Sequence, residues 1–245
     1  MKVYTTLKMG EHHLNHCEDY LLTADIGAGK IICAVMDGCS MGAESFFAAS
    51  LTGKLLRKIA RSHYYQEFLD NRNSSSTALL RSVLRQLFWE LGTLQKMLQL
   101  DIYELLNTLV LAIGESSGKE MEFICIGDGL IVIDSALYEF DQHNMPDYIG
   151  YHLQEDFDQW FETQQQRISV KDIRQFSLCT DGVLTFRRFD TREYAEIADI
   201  LSFLLMDDHG ADTCHMLDRK MIAIEHIYGL KPVDDVAIVR VCFDK

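Results

Sequence analysis

The chain has 245 residues, 48% hydrophobic and 24% charged, which is enough apolar mass for a large core; its 2 prolines mark no linker or disordered tail, so one domain spanning 1–245 is expected. A formal net charge of −14 argues against a protein built to grip nucleic-acid phosphates, and no apolar run reaches the ~20 residues of a membrane span. The 7 cysteines are widely spaced with no CxxC pair, which argues against zinc and suits reduced thiols; with no signal-peptide core in "MKVYTTLKMGEHH", a cytoplasmic protein is expected.

Short strands come first. "DYLLTAD" and "KIICAVMD" flank the glycine-containing "IGAG" and predict a hairpin. A helical pattern follows over 43–69. A second helix is signalled by Leu80, Leu84, Leu87, Leu91, Leu94 and Leu98, one stripe at three- and four-residue spacing, with "NSSST" supplying N-cap types before it. Strands return as "NTLVLAIGE", "EMEFICIGD" and "LIVIDSALYEF", separated by "SSGK" and "GDG". "DFDQWFETQQQ" predicts a short helix and "RQFSLCTDG" a buried strand. Helices are expected over 191–206 and 211–228, the first opened by a capping box of Asp190 with Glu193. "DDVAIVRVCF" is the last strand. Runs such as "LVLAI" and "FICI" are apolar on both faces, as strands covered on both sides must be. Strands and helix pairs in blocks predict an α+β fold, two antiparallel sheets packed as a sandwich with helices on the outer faces.

Acidic residues recur where these strands end: Glu18 and Asp19 in "NHCEDY", Asp37 in "VMDG", Asp128 in "CIGDG", Asp181 in "CTDG", Asp234 and Asp235 in "KPVDDVAIV". One Asp-Gly at a strand end is turn chemistry. Several, each behind an apolar strand, point to converging carboxylates, which repel unless protonated or neutralised by a hard cation with oxygen ligands. Magnesium or manganese suits such a set.

The ordered series "ED", "DG…AAS", "GD", "CTDG" and "DDVAIV" resembles the metal-dependent type 2C serine/threonine protein phosphatases, the PPM family, from Glu18 to Val239. The resemblance implies an αββα sandwich and hydrolysis of phosphoserine and phosphothreonine in phosphoprotein substrates by a water activated between two Mn²⁺ or Mg²⁺ ions. It assigns Glu18 to one metal through water, Asp37 as the bridging ligand, Gly38 through its carbonyl, and Asp181 and Asp234 as further ligands. Asp128 matches the position that in bacterial relatives helps hold a third, weaker metal. A monomer with neither nucleic-acid nor membrane partner is expected.

The departures lie around the phosphate. Leu14 stands where the family often has a phosphate-gripping arginine. On strand geometry His12, Leu14, His16 and Glu18 would share one face, which makes His16 or His12 the replacement to examine, and His16 joins Asp37 as a catalytic candidate. Cys39, Ser40 and Met41 replace a histidine or methionine and two glycines, and Gly129 replaces a serine. Cys17 and Cys39 are read as packing groups. The aromatics of 141–166, between the third and fourth motifs, are read as packing. These losses leave a second function open: a pseudophosphatase that binds a phosphoprotein or regulatory partner without turnover.

Overall fold

The computed structural model describes residues 1–42, 44–70, 74–142 and 145–244, the side chains of 67–70 excepted. The expected helix start at 43, residue 73 of "NSSST" and residues 143–144 of the segment 141–166 lie outside the described residues. In chain order the elements are β1 (Lys2–Lys8), β2 (Tyr20–Gly27), β3 (Lys30–Met36), α1 (Ser45–Asp70), α2 (Ser76–Leu98), β4 (Leu109–Glu115), β5 (Glu120–Ile126), β6 (Gly129–Ile133) and β7 (Ala136–Phe140). After them come α3 (Phe157–Thr163), β8 (Arg167–Lys171), β9 (Gln175–Cys179), β10 (Phe186–Arg188), α4 (Ile200–Leu205), α5 (Met216–His226), β11 (Leu230–Pro232) and β12 (Val236–Cys242).

Two five-stranded antiparallel sheets carry the fold, one ordered β1-β12-β9-β6-β7 and the other β2-β3-β4-β5-β8; β10 and β11 form a separate ribbon. Strand alternation explains the doubly apolar runs. In β3, Ile31, Cys33 and Val35 point between the sheets, where they meet Phe176, Leu178, Val239 and Val241. Ile32, Ala34 and Met36 point the other way, into a core closed by α1 and α2. On the far sheet, Leu130, Cys179 and Ile238 pack under α4 and α5. The result is the expected layering: helices, sheet, sheet, helices. Each fully buried Leu or Ile contributes about 1.5–3 kcal/mol to that layering.

In α2 the Ser75 side chain accepts from the Ala78 N–H as N-cap, and Gln99 ends the helix in a left-handed conformation. Leu80, Leu84, Leu87 and Leu91 are buried as their spacing predicts, whereas Leu98, at the C-terminal end, is exposed. The structure departs from the expectations locally, and "LIVIDSALYEF" is the antiparallel pair β6–β7 in place of one strand. β1 carries no block of apolar residues, yet it pairs along its length with β12. The helices at 191–206 and 211–228 shrink to α4 and α5. Asp190 caps no helix: its carboxylate accepts from the Arg192 N–H, the Arg192 guanidinium and the Tyr194 hydroxyl, a local turn that competes with helix, and Asp199 caps α4 instead.

Candidate active site

The strand registers put the chemistry at one end of the sandwich. Tyr20 pairs with Met36, so Glu18 and Asp19, entering β2, sit beside Asp37, leaving β3. Cys179 pairs with both Ile238 and Leu130, so Asp181 leaves β9 next to Asp234 and Asp235, which lead into β12, and next to Asp128 in the turn before β6. Two glycines allow these ends to crowd. A Cβ on Gly38 would lie 2.0 Å from the Ser45 carbonyl oxygen, and one on Gly182 would lie 1.8 Å from that of Asp235. The Asp-Gly pairs therefore serve close backbone packing as well as turning.

Thr180 stitches the two sheets together. Its hydroxyl donates to Asp19 Oδ2 at 2.7 Å and accepts from the Ala237 N–H at 2.9 Å. Asp19 is buried, and its Oδ1 has no hydrogen-bond partner among the described residues. Asp235 organises the loop that brings in Glu18: its carboxylate accepts from the N–H groups of Gly10 and Glu18 and bonds His13 Nδ1 at 2.7 Å. The Thr185 hydroxyl accepts from the N–H groups of Val233 and Asp234 and holds that turn.

The electrostatics are those of crowded acids. Burial pushes the Asp37 carboxyl well above its ordinary range, and the charges of Asp19, Asp181 and Asp234 push it further. Burial likewise raises Asp19. Asp181 is pushed up to about 6 by burial, then by the charges of Asp234 and Asp128. Among the described residues no Lys or Arg pairs with Asp19, Asp37, Asp181, Asp234 or Asp235. His13 is the nearest counter-charge. Its Nε2 lies 3.7 Å from Asp234 Oδ1 and 4.0 Å from Glu18 Oε1. Burial works against its charged form, but the hydrogen bond and charge of Asp235, then Glu18 and Asp234, raise its pKa overall.

A divalent cation suits this set by donor chemistry and by charge: hard oxygen donors, mutual repulsion, and an orphaned buried oxygen on Asp19. As the side chains are placed, no three His, Cys, Asp or Glu among the described residues close on one point. The fit is thus one of chemistry and charge, without a formed coordination sphere.

Asp37, Asp181, Asp234 and Asp19 interact electrostatically in one cluster, with Asp128 reaching it through Asp181 and Glu18 through His13. His16 is elsewhere. Residues 9–19 form a loop, so strand alternation does not apply; His16 is exposed and packs on Phe46, ring centroids 4.5 Å apart, in a cleft of about 290 Å³ shared with Glu18 and Glu44. Leu14 lines the same cleft, 86% exposed. Residue-by-residue reading did not single out His13, Thr180 or Thr185, and gave Asp235 no role of its own. The doubled acid in "DDV" was the one visible signal, and which of the two turns inward is a tertiary fact. The segment 141–166 contributes packing through Trp160 and Phe161, buried against α2, but Tyr148 behaves differently. It is half-buried beside Cys39 and Asp37, and burial together with the Cys39 contact raises its phenol pKa.

The sequence model of the family Protein phosphatase 2C matches residues 9–220. No curated protein matches the chain by sequence. Similar solved structures include a bacterial serine phosphatase, with a TM-score of 0.60 at 13% identity over 100% of this chain and 99% of that one. Serine/threonine phosphatase Stp1 from Staphylococcus aureus gives 0.62 at 12% identity over 100% and 96%. RsbX in complex with magnesium gives 0.56 at 11% identity over 97% and 92%. At such identities these structures establish the fold, two antiparallel sheets between helix layers.

Proposed function

We propose that this chain, which belongs to the protein phosphatase 2C family, hydrolyses phosphoserine and phosphothreonine esters in proteins with bound divalent cations. The observation that carries the reading is the cluster of Asp19, Asp37, Asp181 and Asp234 at one end of both sheets, lacking any Lys or Arg partner among the described residues, with the carboxyls of Asp19, Asp37 and Asp181 raised by burial and by neighbouring charge. Such an arrangement is costly unless a cation or a proton is taken up. Asp37, Asp181 and Asp234 would hold the metal, with the Gly38 carbonyl and Glu18 at its margin and Asp128 toward a further, weaker site. When bound, Mg²⁺ or Mn²⁺ supplies an activated water and neutralises charge that develops on the phosphoryl group.

The protein's own work is positioning. Thr180 fixes the Asp19 carboxylate, Asp235 fixes the loop that presents Glu18, and the raised pKa of His13 favours a positive charge between Asp235 and Asp234. His16 on Phe46 is the candidate phosphate contact in the absence of an arginine. Phosphate release from a phosphothreonine peptide tests the proposal. It should require Mn²⁺ or Mg²⁺, stop in excess EDTA and be lost in Asp37→Asn; full activity in either condition refutes it.

The exposed Leu14, and a cleft without Lys or Arg among its described lining, favour a second reading, a pseudophosphatase. Metal binding by calorimetry with no turnover of peptide or p-nitrophenyl phosphate would establish that reading instead.

A further inference from the structure

The outer face of the α1–α2 pair is chemically unlike the rest of the molecule. Between Ser45 and Leu98 the sequence carries eight Lys or Arg and three Asp or Glu, in a chain of net charge −14. Arg81 and Arg85 are engaged by Asp158 and Glu162, and Lys58 by the buried Glu90. Lys54, Arg57, Arg61 and Lys96 are exposed and have no ion-pair partner among the described residues. Lys54, Arg57, Arg61 and Tyr65 follow each other at three- and four-residue spacing, one stripe along α1. Trp89 and Lys96 continue that face on α2, and the 2.8 Å Lys58–Glu90 bond ties the two helices edge to edge.

Trp89 is 67% exposed and Tyr65 61%. Large aromatics left in water beside arginines and lysines are what a recognition surface uses for anchoring and charge readout. We propose that this face docks an acidic segment of the phosphoprotein substrate, remote from the phosphorylated residue. The choice of occupant rests on the phosphatase reading; the charge complementarity does not. From Lys54 to Tyr65 the stripe runs roughly 16 Å along the helix, the span of about five extended residues. A short acidic segment feels mainly the charges within a Debye length of about 8 Å, where this stripe is positive. An extended anionic surface such as a bilayer meets the repulsion of the whole acidic molecule. Lys54 lies nine residues beyond Ser45, whose carbonyl abuts Gly38, so a segment docked here is within peptide reach of the acidic cluster.

The test uses a phosphothreonine peptide joined through a flexible Gly-Ser linker to a Glu- and Tyr-containing tail, beside the same peptide with a Gln and Ser tail. The acidic tail should raise kcat/KM and bind in fluorescence anisotropy, weakening as NaCl rises. In the triple variant Lys54→Glu, Arg57→Glu, Arg61→Glu, binding should fall about tenfold, as three exposed pairs would give, with turnover of p-nitrophenyl phosphate unchanged. Trp89→Ala, which reverses no charge, should weaken binding of the tail and leave the melting temperature in place. No advantage for the acidic tail, or the same advantage in the triple variant, overturns the proposal. So does charge-dependent binding to phosphatidylserine vesicles in its place. If the wild type turns over nothing, the phosphatase reading fails, and the anisotropy comparison still decides the docking face.

Discussion

Asp181→Asn should stabilise the metal-free protein, because the carboxylate it replaces is held in a place that resists its charge. The folded-state pKa is about 6 against an ordinary 3.8, raised by burial and by the charges of Asp234 and Asp128. At about 1.36 kcal/mol per unit, the ionised group costs the fold roughly 3 kcal/mol at neutral pH. The folded state holds this proton more tightly than the unfolded chain does. The advantage of holding it is complete below the unfolded pKa and is lost as pH rises through about 6. The asparagine variant has no such dependence. At pH 7.5 it should melt roughly 6 °C above the wild type, and the gap should close toward pH 4, where both chains are neutral at this position. Mg²⁺ or Mn²⁺ at pH 7.5 should raise the wild-type melting temperature and move the variant much less. Thermal melts of both proteins across that pH range, with cation or with EDTA, measure every quantity. A variant no more stable than wild type at neutral pH, or a gap constant with pH, would refute the electrostatic account of the cluster.

Asp235→Ala should remove about 3 kcal/mol or more in chemical denaturation, because the N–H groups of Gly10 and Glu18 and the ring of His13 would lose their acceptor in a buried site. Limited proteolysis should then cut between residues 10 and 18. Leu14→Arg should lower KM for a phosphopeptide by adding a charge-assisted contact, while His16→Ala should raise KM if the imidazole on Phe46 already meets the phosphate; steady-state kinetics separate the two. Tyr148→Phe should lower kcat/KM for p-nitrophenyl phosphate about fivefold, the worth of one hydrogen bond at the site's edge, with the melting temperature retained.

What was legible in the sequence follows from what is local. An apolar run closed by Asp-Gly states both halves of its meaning in four or five residues: a buried strand, and a carboxylate at its end beside a backbone that must approach another closely. That is why Asp37 and Asp181 could be read, and why burial of β3 on both faces could be expected from "IICAVM". The leucine stripe of α2 is local in the same sense, and only its last leucine, the exposed Leu98, departs from it. One element error has a local cause too: 191–199 has helical composition, but the Asp190 side chain offers its neighbours' donors an alternative to the helix.

The supporting shell was illegible because each of its bonds spans the chain. Thr180 meets Asp19 across 161 positions, and Asp235 meets Glu18 across 217. Nothing in the neighbourhood of either residue announces its partner. The loop at 9–19 shows how one wrong local premise propagates. Read as a strand, it puts residues of even number on one face and draws attention to His12 and His16. As a loop tied down by Asp235, it turns the odd residue His13 onto the acids. The parity of a strand is worth using only where the segment is extended and pairs along at least one edge, and this segment belongs to no strand: β1 ends at Lys8 and β2 begins at Tyr20. A polar stretch between two strands that both lead to acidic termini is better read as a tether whose contacts are set by the far end of the sheet. On that reading the second aspartate of "DDV" becomes the residue to question first, since its carboxylate holds the tether through Gly10, His13 and Glu18.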